Sequence, residues 1–158
     1  VGLGGNTVQS REALVRAKEF LTRLLEEPAV SGLYRTSPQM DTDQDDFWNA
    51  VVTGFWSGSP ESLLERLLMF EAGEGRRRDP LRPKGPRILD LDLLLFGGVV
   101  RQSPRLTLPH PGLRSRRFAL EPLVTLEPEA RDPNTGEFWS VELARLAAQG
   151  VDLTAATW

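Results

Sequence analysis

Asp90 and Asp92 are the residues best suited to chemistry, two aspartates set one position apart in the apolar run Ile88-Leu89-Asp90-Leu91-Asp92-Leu93-Leu94-Leu95-Phe96. Side chains alternate along a strand, so both carboxylates share one face while Leu89, Leu91, Leu93 and Leu95 share the other. Their Cα atoms are then about 7 Å apart, and two negative charges at about that distance repel by roughly 2 kcal/mol at an effective dielectric of about 20. A divalent hard cation relieves this penalty. Magnesium suits the pair, because it commonly takes one or two carboxylates and fills its remaining positions with water and substrate phosphates. Two solvated aspartates on an outer strand face are the plain alternative.

The surroundings point to a phosphate ligand. From Arg76 to Arg117 the chain has ten arginines and Lys84 against Asp79, Asp90 and Asp92, a local charge of +8 in a protein of net charge −3, which leaves −11 elsewhere. Arginine's planar fork meets phosphate oxygens two at a time. Glu71 precedes Gly75-Arg76-Arg77-Arg78 and could orient an arginine or a nucleotide, or be one more helix-surface acid. A second basic strip carries the single histidine: Leu108-Pro109-His110-Pro111, then Arg114, Arg116 and Arg117. His110 could donate a hydrogen bond to a phosphate oxygen. Phe47, Trp48 and Phe118 lie beside polar residues, so a planar heterocycle could stack between two aromatic faces while Asn49 reads its edge; core packing is the alternative. Neither G-x-x-x-x-G-K-[ST] nor G-x-G-x-x-G occurs, so phosphate binding falls to side chains.

Composition narrows the rest. The chain has 158 residues, 40% hydrophobic and 26% charged, no cysteine and one histidine, which fits a single domain over residues 1–158 with an ordinary core. Disulfide frameworks, thiolate metal sites and multi-histidine zinc sites are excluded. No run of about 20 apolar residues occurs and no basic segment precedes an apolar one, so a cytoplasmic protein without a membrane partner is expected. A pI near 5.3 gives no general reason to expect nucleic-acid binding.

The elements that must position these residues follow from periodicity. Residues 1–3 read as the end of a strand that starts before Val1. Leu14, Ala17, Leu21, Leu24 and Leu25 repeat at helical spacing after an N-cap at Ser10, and Pro28 closes the segment. Residues 30–36 and 50–56 read as strands joined by a loop over about 37–47. Ser59-Pro60-Glu61 opens a second helix with Leu63, Leu64, Leu67 and Leu68 on its apolar face, ending near Gly73 and Gly75. An arginine-rich loop leads to a strand over 88–96, then Gly97-Gly98 as a hairpin turn into Val99 and Val100. A last helix begins at Ser140 and stops at Gly150. The order β-α-β-β-α-β predicts an α+β protein, a ferredoxin-like antiparallel sheet with flanking helices and a C-terminal extension. Loops 37–47 and 73–87 exceed the usual length of about 4–6 residues, as binding loops often do.

Several motifs together carry a resemblance. They are Gly4-Gly5-Asn6, Tyr34-Arg35-Thr36-Ser37-Pro38, Phe47-Trp48-Asn49-Ala50, Glu71, Gly75-Arg76-x-Arg78, Gly85-Pro86-Arg87-x-Leu89-Asp90-Leu91-Asp92 and Leu106-Thr107-Leu108-Pro109-His110, then Arg116 and Phe118. This set resembles the 6-hydroxymethyl-7,8-dihydropterin pyrophosphokinases of folate biosynthesis. The resemblance implies a ferredoxin-like α+β fold and transfer of the β,γ-diphosphate of ATP to the pterin hydroxymethyl group, releasing AMP. It implies two magnesium ions on Asp90 and Asp92, and catalytic roles for these aspartates with Arg78 and Arg87. ATP would be held by Glu71, Arg76, Arg87, Leu93, Arg105, Thr107, His110 and Arg116. Phe47 and Phe118 would sandwich the pterin, with Thr36, Ser37, Gln39 and Asn49 along its edge. A monomer is implied, with ATP and the pterin as partners and no nucleic acid or membrane. The chain departs from the family pattern at Gly5, where serine is common, at Leu68, where glutamine can occur, and at Lys84, where a loop tryptophan can. On the residues alone two rivals stay open: a nucleic-acid-binding ferredoxin-like module that uses the arginine strip, and a small-molecule kinase that moves only the γ-phosphate.

Overall fold

The computed structural model describes residues 1–37, 45–75, 86–147, 151–155 and 157–158. In chain order the elements are β1 (Gly2–Gly5), α1 (Ser10–Leu24), β2 (Glu26–Val30), β3 (Leu33–Thr36), β4 (Phe47–Phe55), α2 (Pro60–Gly73), β5 (Asp90–Asp92), β6 (Arg101–Gln102), β7 (Thr107–Leu108), α3 (Arg117–Leu126), α4 (Trp139–Arg145) and β8 (Val151–Ala155). The architecture is α+β. The main sheet runs β5-β1-β4-β3-β8 with β2 also on β4, and every pairing is antiparallel. β6 and β7 form a separate two-stranded ribbon. No helix among the described residues is long and apolar enough to cross a membrane.

Each sheet face buries its own core. On one face α1 brings Ala13, Leu14, Ala17 and Leu21, and α2 brings Leu63 and Leu67, against Leu3, Leu33, Ala50, Val52 and Leu91. On the other, α3 and α4 cover Val51 and Leu94 with Leu120, Leu123 and Trp139, joined by Leu113. Opposed residues in an antiparallel ladder project to the same side. Val51, Gly2 and Asp92 therefore form one row across β4, β1 and β5, and Asn49, Gly4 and Asp90 form the next. The second core stops at the first of these rows.

Element boundaries differ from expectation for local reasons. The strand expected over 30–36 breaks at Ser31, which donates its N–H to the Val51 carbonyl and accepts the Val51 N–H on Oγ, both at 2.9 Å. β4 starts at Phe47, so Phe47, Trp48 and Asn49 belong to the ladder and not to a loop. Within 88–96 only Asp90–Asp92 pairs as a strand, because the Leu94 carbonyl turns to accept the His110 N–H at 2.8 Å. Gly97-Gly98 does turn the chain, with the Val99 N–H on the Phe96 carbonyl at 3.0 Å, but the ribbon that follows pairs Arg101 with Leu108. Ser10 is the first residue of α1 and not its cap. Its buried hydroxyl instead accepts the Thr7 N–H at 2.8 Å and donates to the Arg87 carbonyl at 3.2 Å. α4 ends at Arg145, where Leu146 turns extended, and Gly150 lies outside the described residues. The α3 helix and the β8 edge strand are findings of the structure alone.

Candidate active site

The site is assembled from the end of β1. A Cβ on Gly5 would fall 2.7 Å from the Ser10 hydroxyl and closer still to the Ile88 carbonyl, so only glycine lets residues 87–88 pack here. Asn6, 2% exposed, then zips to Arg87: its N–H donates to the Arg87 carbonyl at 3.0 Å and its Oδ1 accepts the Arg87 N–H at 2.9 Å. With its backbone fixed, Arg87 pairs its guanidinium with the Asp90 carboxylate.

Glu71 is not a helix-surface acid, being only 2% exposed. It lies on the buried stripe of α2 with Pro60, Leu63 and Leu67, and its Oε1 accepts the Leu91 N–H at 2.5 Å. β5 is the last strand of the sheet, so this bond satisfies a backbone donor that has no further strand to meet. It also anchors the residue between the two aspartates to α2. The signal was present in the sequence: Glu71 continues the spacing of Leu63 and Leu67 along the apolar face.

Asp92 has an imidazole and a guanidinium beside it. His110 Nε2 lies 4.0 Å from its Oδ1 and Arg116 Nη1 3.9 Å from its Oδ2. The Gly112 N–H donates to His110 Nδ1 at 3.1 Å, which places the proton of the neutral ring on Nε2, toward Asp92. Burial, the largest influence, holds His110 below its ordinary pKa; Asp92 and Asp90 pull it up and Arg116 pushes it down. A Cβ on Gly112 would lie 2.7 Å from Arg116 Nε, so the bare glycine lets the arginine pass over it.

The carboxylates of Asp90 and Asp92 are 17% and 37% exposed, so both can be reached from outside. No cluster of three or more His, Asp or Glu residues that could hold a metal occurs among the described residues. Two hard-oxygen ligands within reach of solvent fit magnesium, whose remaining ligands are water and phosphate oxygens.

The neighbouring row supplies a different surface. Asn49, 5% exposed, donates from Nδ2 to Thr36 Oγ1 at 2.9 Å, and Phe47 lies opposite Thr36 across β3 and β4. Ser37 is exposed just beyond β3, and Phe118 is half-buried in the first turn of α3. Thr107 is half-buried on β7. The Leu93 side chain is buried in the first core, which leaves only its backbone for a ligand. Arg105 is exposed, 3.8 Å from Glu65. Gln39, Arg76 and Arg78 lie outside the described residues. The structure thus gathers Arg87, Asp90, Asp92, His110 and Arg116, with Thr36, Phe47 and Asn49 beside them on the same sheet face.

The basic stretch divides on inspection. Arg114 pairs with the buried Asp132 and lies over the Trp139 ring at 5.4 Å. Arg117 holds Glu121 at 2.7 Å, and Arg101 holds Glu61 at 2.9 Å. Among the described residues, Arg87 and Arg116 form ion pairs that run to the aspartates.

Residues 1–128 match the family model described as 7,8-dihydro-6-hydroxymethylpterin-pyrophosphokinase. The chain belongs to this family. The 2-amino-4-hydroxy-6-hydroxymethyldihydropteridine pyrophosphokinase of Pseudomonas aeruginosa is 40% identical over 154 residues, covering 96% of this chain and 93% of that protein. Its counterpart in Methylorubrum extorquens is 39% identical, covering 96% of this chain and 95% of that protein. A folic acid synthesis protein of Schizosaccharomyces pombe is 40% identical over 124 residues, covering 78% of this chain but only 17% of that longer protein. The chain is a pyrophosphokinase of folate biosynthesis, as its motifs led us to expect.

Proposed function

We propose that this chain transfers the β,γ-diphosphate of ATP to the hydroxymethyl oxygen of 6-hydroxymethyl-7,8-dihydropterin and releases AMP, with Asp90 and Asp92 at the centre. The observation that carries this reading is the shared sheet face, with the carboxylate pair and its cations at one end and Asn49 and Phe47 at the other. The pterin hydroxyl oxygen bonds to the β-phosphorus, the bond from that phosphorus to the α-phosphate oxygen breaks, and its electron pair leaves on AMP. The hydroxyl proton is lost, with the aspartates as the nearest bases. Two magnesium ions on Asp90 and Asp92, when bound, would neutralise charge on the phosphate oxygens.

The protein's own part is positioning and charge stabilisation. Arg87 and Arg116 exchange their aspartate contacts for shared contacts with phosphate, and His110 donates from Nε2 as a neutral ring. Arg76, Arg105 and Thr107 add nucleotide contacts, Leu93 adds its backbone, and Arg78 meets the transferring group. Glu71 acts from behind by fixing Leu91. The pterin lies between Phe47 and Phe118, with Thr36, Ser37, Gln39 and Asn49 along its edge. One ferredoxin-like domain over residues 1–158, acting as a monomer, suffices for this; the strand order β5-β1-β4-β3 supports that fold assignment. Incubation with ATP, magnesium and the hydroxymethyl pterin is expected to yield AMP and a diphosphorylated pterin. ADP as the nucleotide product, or turnover that persists with chelator in place of magnesium, would overturn the reading.

A further inference from the structure

We propose that Gly4 is a substrate-contacting position, whose missing side chain lets the pterin lie against bare backbone between Asn49 and Asp90; the inference rests on the pterin and metal assignments proposed above. β1 contains three glycines in four residues, and a glycine inside a strand weakens it unless some other demand requires it. Two of the three are explained by the fold. Gly5 admits the Ile88 carbonyl and the Ser10 hydroxyl, and a Cβ on Gly2 would press on Leu94 Cδ1 at 3.2 Å. Gly4 is different. A Cβ there would have only Asn49 Oδ1 at 3.4 Å and the Trp48 carbonyl at 3.9 Å within reach among the described residues, both ordinary contacts. Nor is Gly4 among the glycines with a left-handed backbone. Among the described residues there is room for alanine, yet the position carries none.

Its neighbours say what the space serves. Gly4 is opposed by Asn49 on one side and Asp90 on the other, so the three stand in one row on one face. Two strand spacings separate Asn49 from Asp90, about 10 Å. A ring whose edge is read at Asn49 has to cross Gly4 for its hydroxymethyl group to reach the phosphates held at Asp90. A methyl group on this floor would lift the ring and misplace the hydroxyl, and a displacement of about 1 Å can lower the rate about a hundredfold.

The test compares Gly4→Ala with Gly5→Ala and the wild type, all as full chains. Gly4→Ala is expected to melt at or above the wild-type temperature and to bind magnesium-ATP unchanged in the absence of pterin. Its AMP-forming kcat/KM for the pterin is expected to fall about a hundredfold. Gly5→Ala is expected to melt lower. Wild-type pterin kinetics in Gly4→Ala overturn the proposal, as does a lowered melting temperature, which would mean that the fold itself needs this glycine. A matching loss of magnesium-ATP affinity also overturns it, by moving the effect to the nucleotide. A wild-type enzyme that forms no AMP would sink the parent reading instead.

Discussion

Val51 and Asn49 lie two residues apart on β4 and face the same side of the sheet, but their surroundings are opposites. Val51 is fully buried beneath α3, in contact with a core of Leu94, Leu113, Leu120, Leu123 and Trp139. Asn49 stands beside the bare backbone of Gly4 and spends its amide on Thr36 at 2.9 Å. Burying an aliphatic side chain contributes about 1.5–3 kcal/mol, whereas a buried amide contributes little net and must keep its partners. One end of the face holds the molecule together, and the other is where we place the ligand. Arg114 and Arg116 repeat the contrast along the chain: the first is locked to a buried aspartate and the second reaches toward Asp92.

The contrast predicts that damage at the two ends separates into different observables. The largest effect is expected at the open end. Asp90→Asn or Asp92→Asn should lower kcat for AMP formation by about a thousandfold, near 4 kcal/mol of barrier, with the thermal melt unchanged. Near wild-type turnover in either variant would contradict the metal assignment. At the sealed end, Leu120→Ala empties a site that is fully buried and should reduce stability by about 3 kcal/mol in a denaturant titration. The folded fraction of that variant should retain the wild-type KM for pterin; a raised KM would show that the two ends are coupled.

How much of this was legible in the sequence depends on whether a residue's task is local. The aspartate pair was legible because strand periodicity alone puts Asp90 and Asp92 on one face with Leu91 on the other, and Leu91 is indeed buried. The cap at Ser59 was legible too, since its hydroxyl accepts the Ser62 N–H within one turn. Partners distant in sequence were not. Ser10 reads as a cap by type, but its partner across the fold is the Arg87 carbonyl, 77 residues away. The +8 stretch reads as one ligand site because the sequence does not show that Asp132 and Glu121 claim Arg114 and Arg117. For Glu71 the spacing from Leu63 and Leu67 marks the buried face, but its backbone partner, the Leu91 N–H on a strand edge, is one that no side-chain motif announces.

The smallest expected effect sharpens the comparison at the edge between the two regions, where His110 stands. Its pKa is held below the ordinary 6.5 by burial, the largest influence, against the upward pull of Asp92. In the metal-free protein the His110 ring resonances should therefore titrate below 6.5 by NMR, and Asp92→Asn, which removes the upward pull, should lower the value further. The sign carries into stability. Because the folded value lies below the unfolded one, this histidine's contribution is complete above about pH 6.5 and is lost as the pH falls through the folded pKa. At neutral pH the ring then stays uncharged, with Nδ1 committed to Gly112, and offers Nε2–H as a donor without adding a second cation beside Arg116. An upward shift in Asp92→Asn would mean that the ring's environment is set by some group other than Asp92.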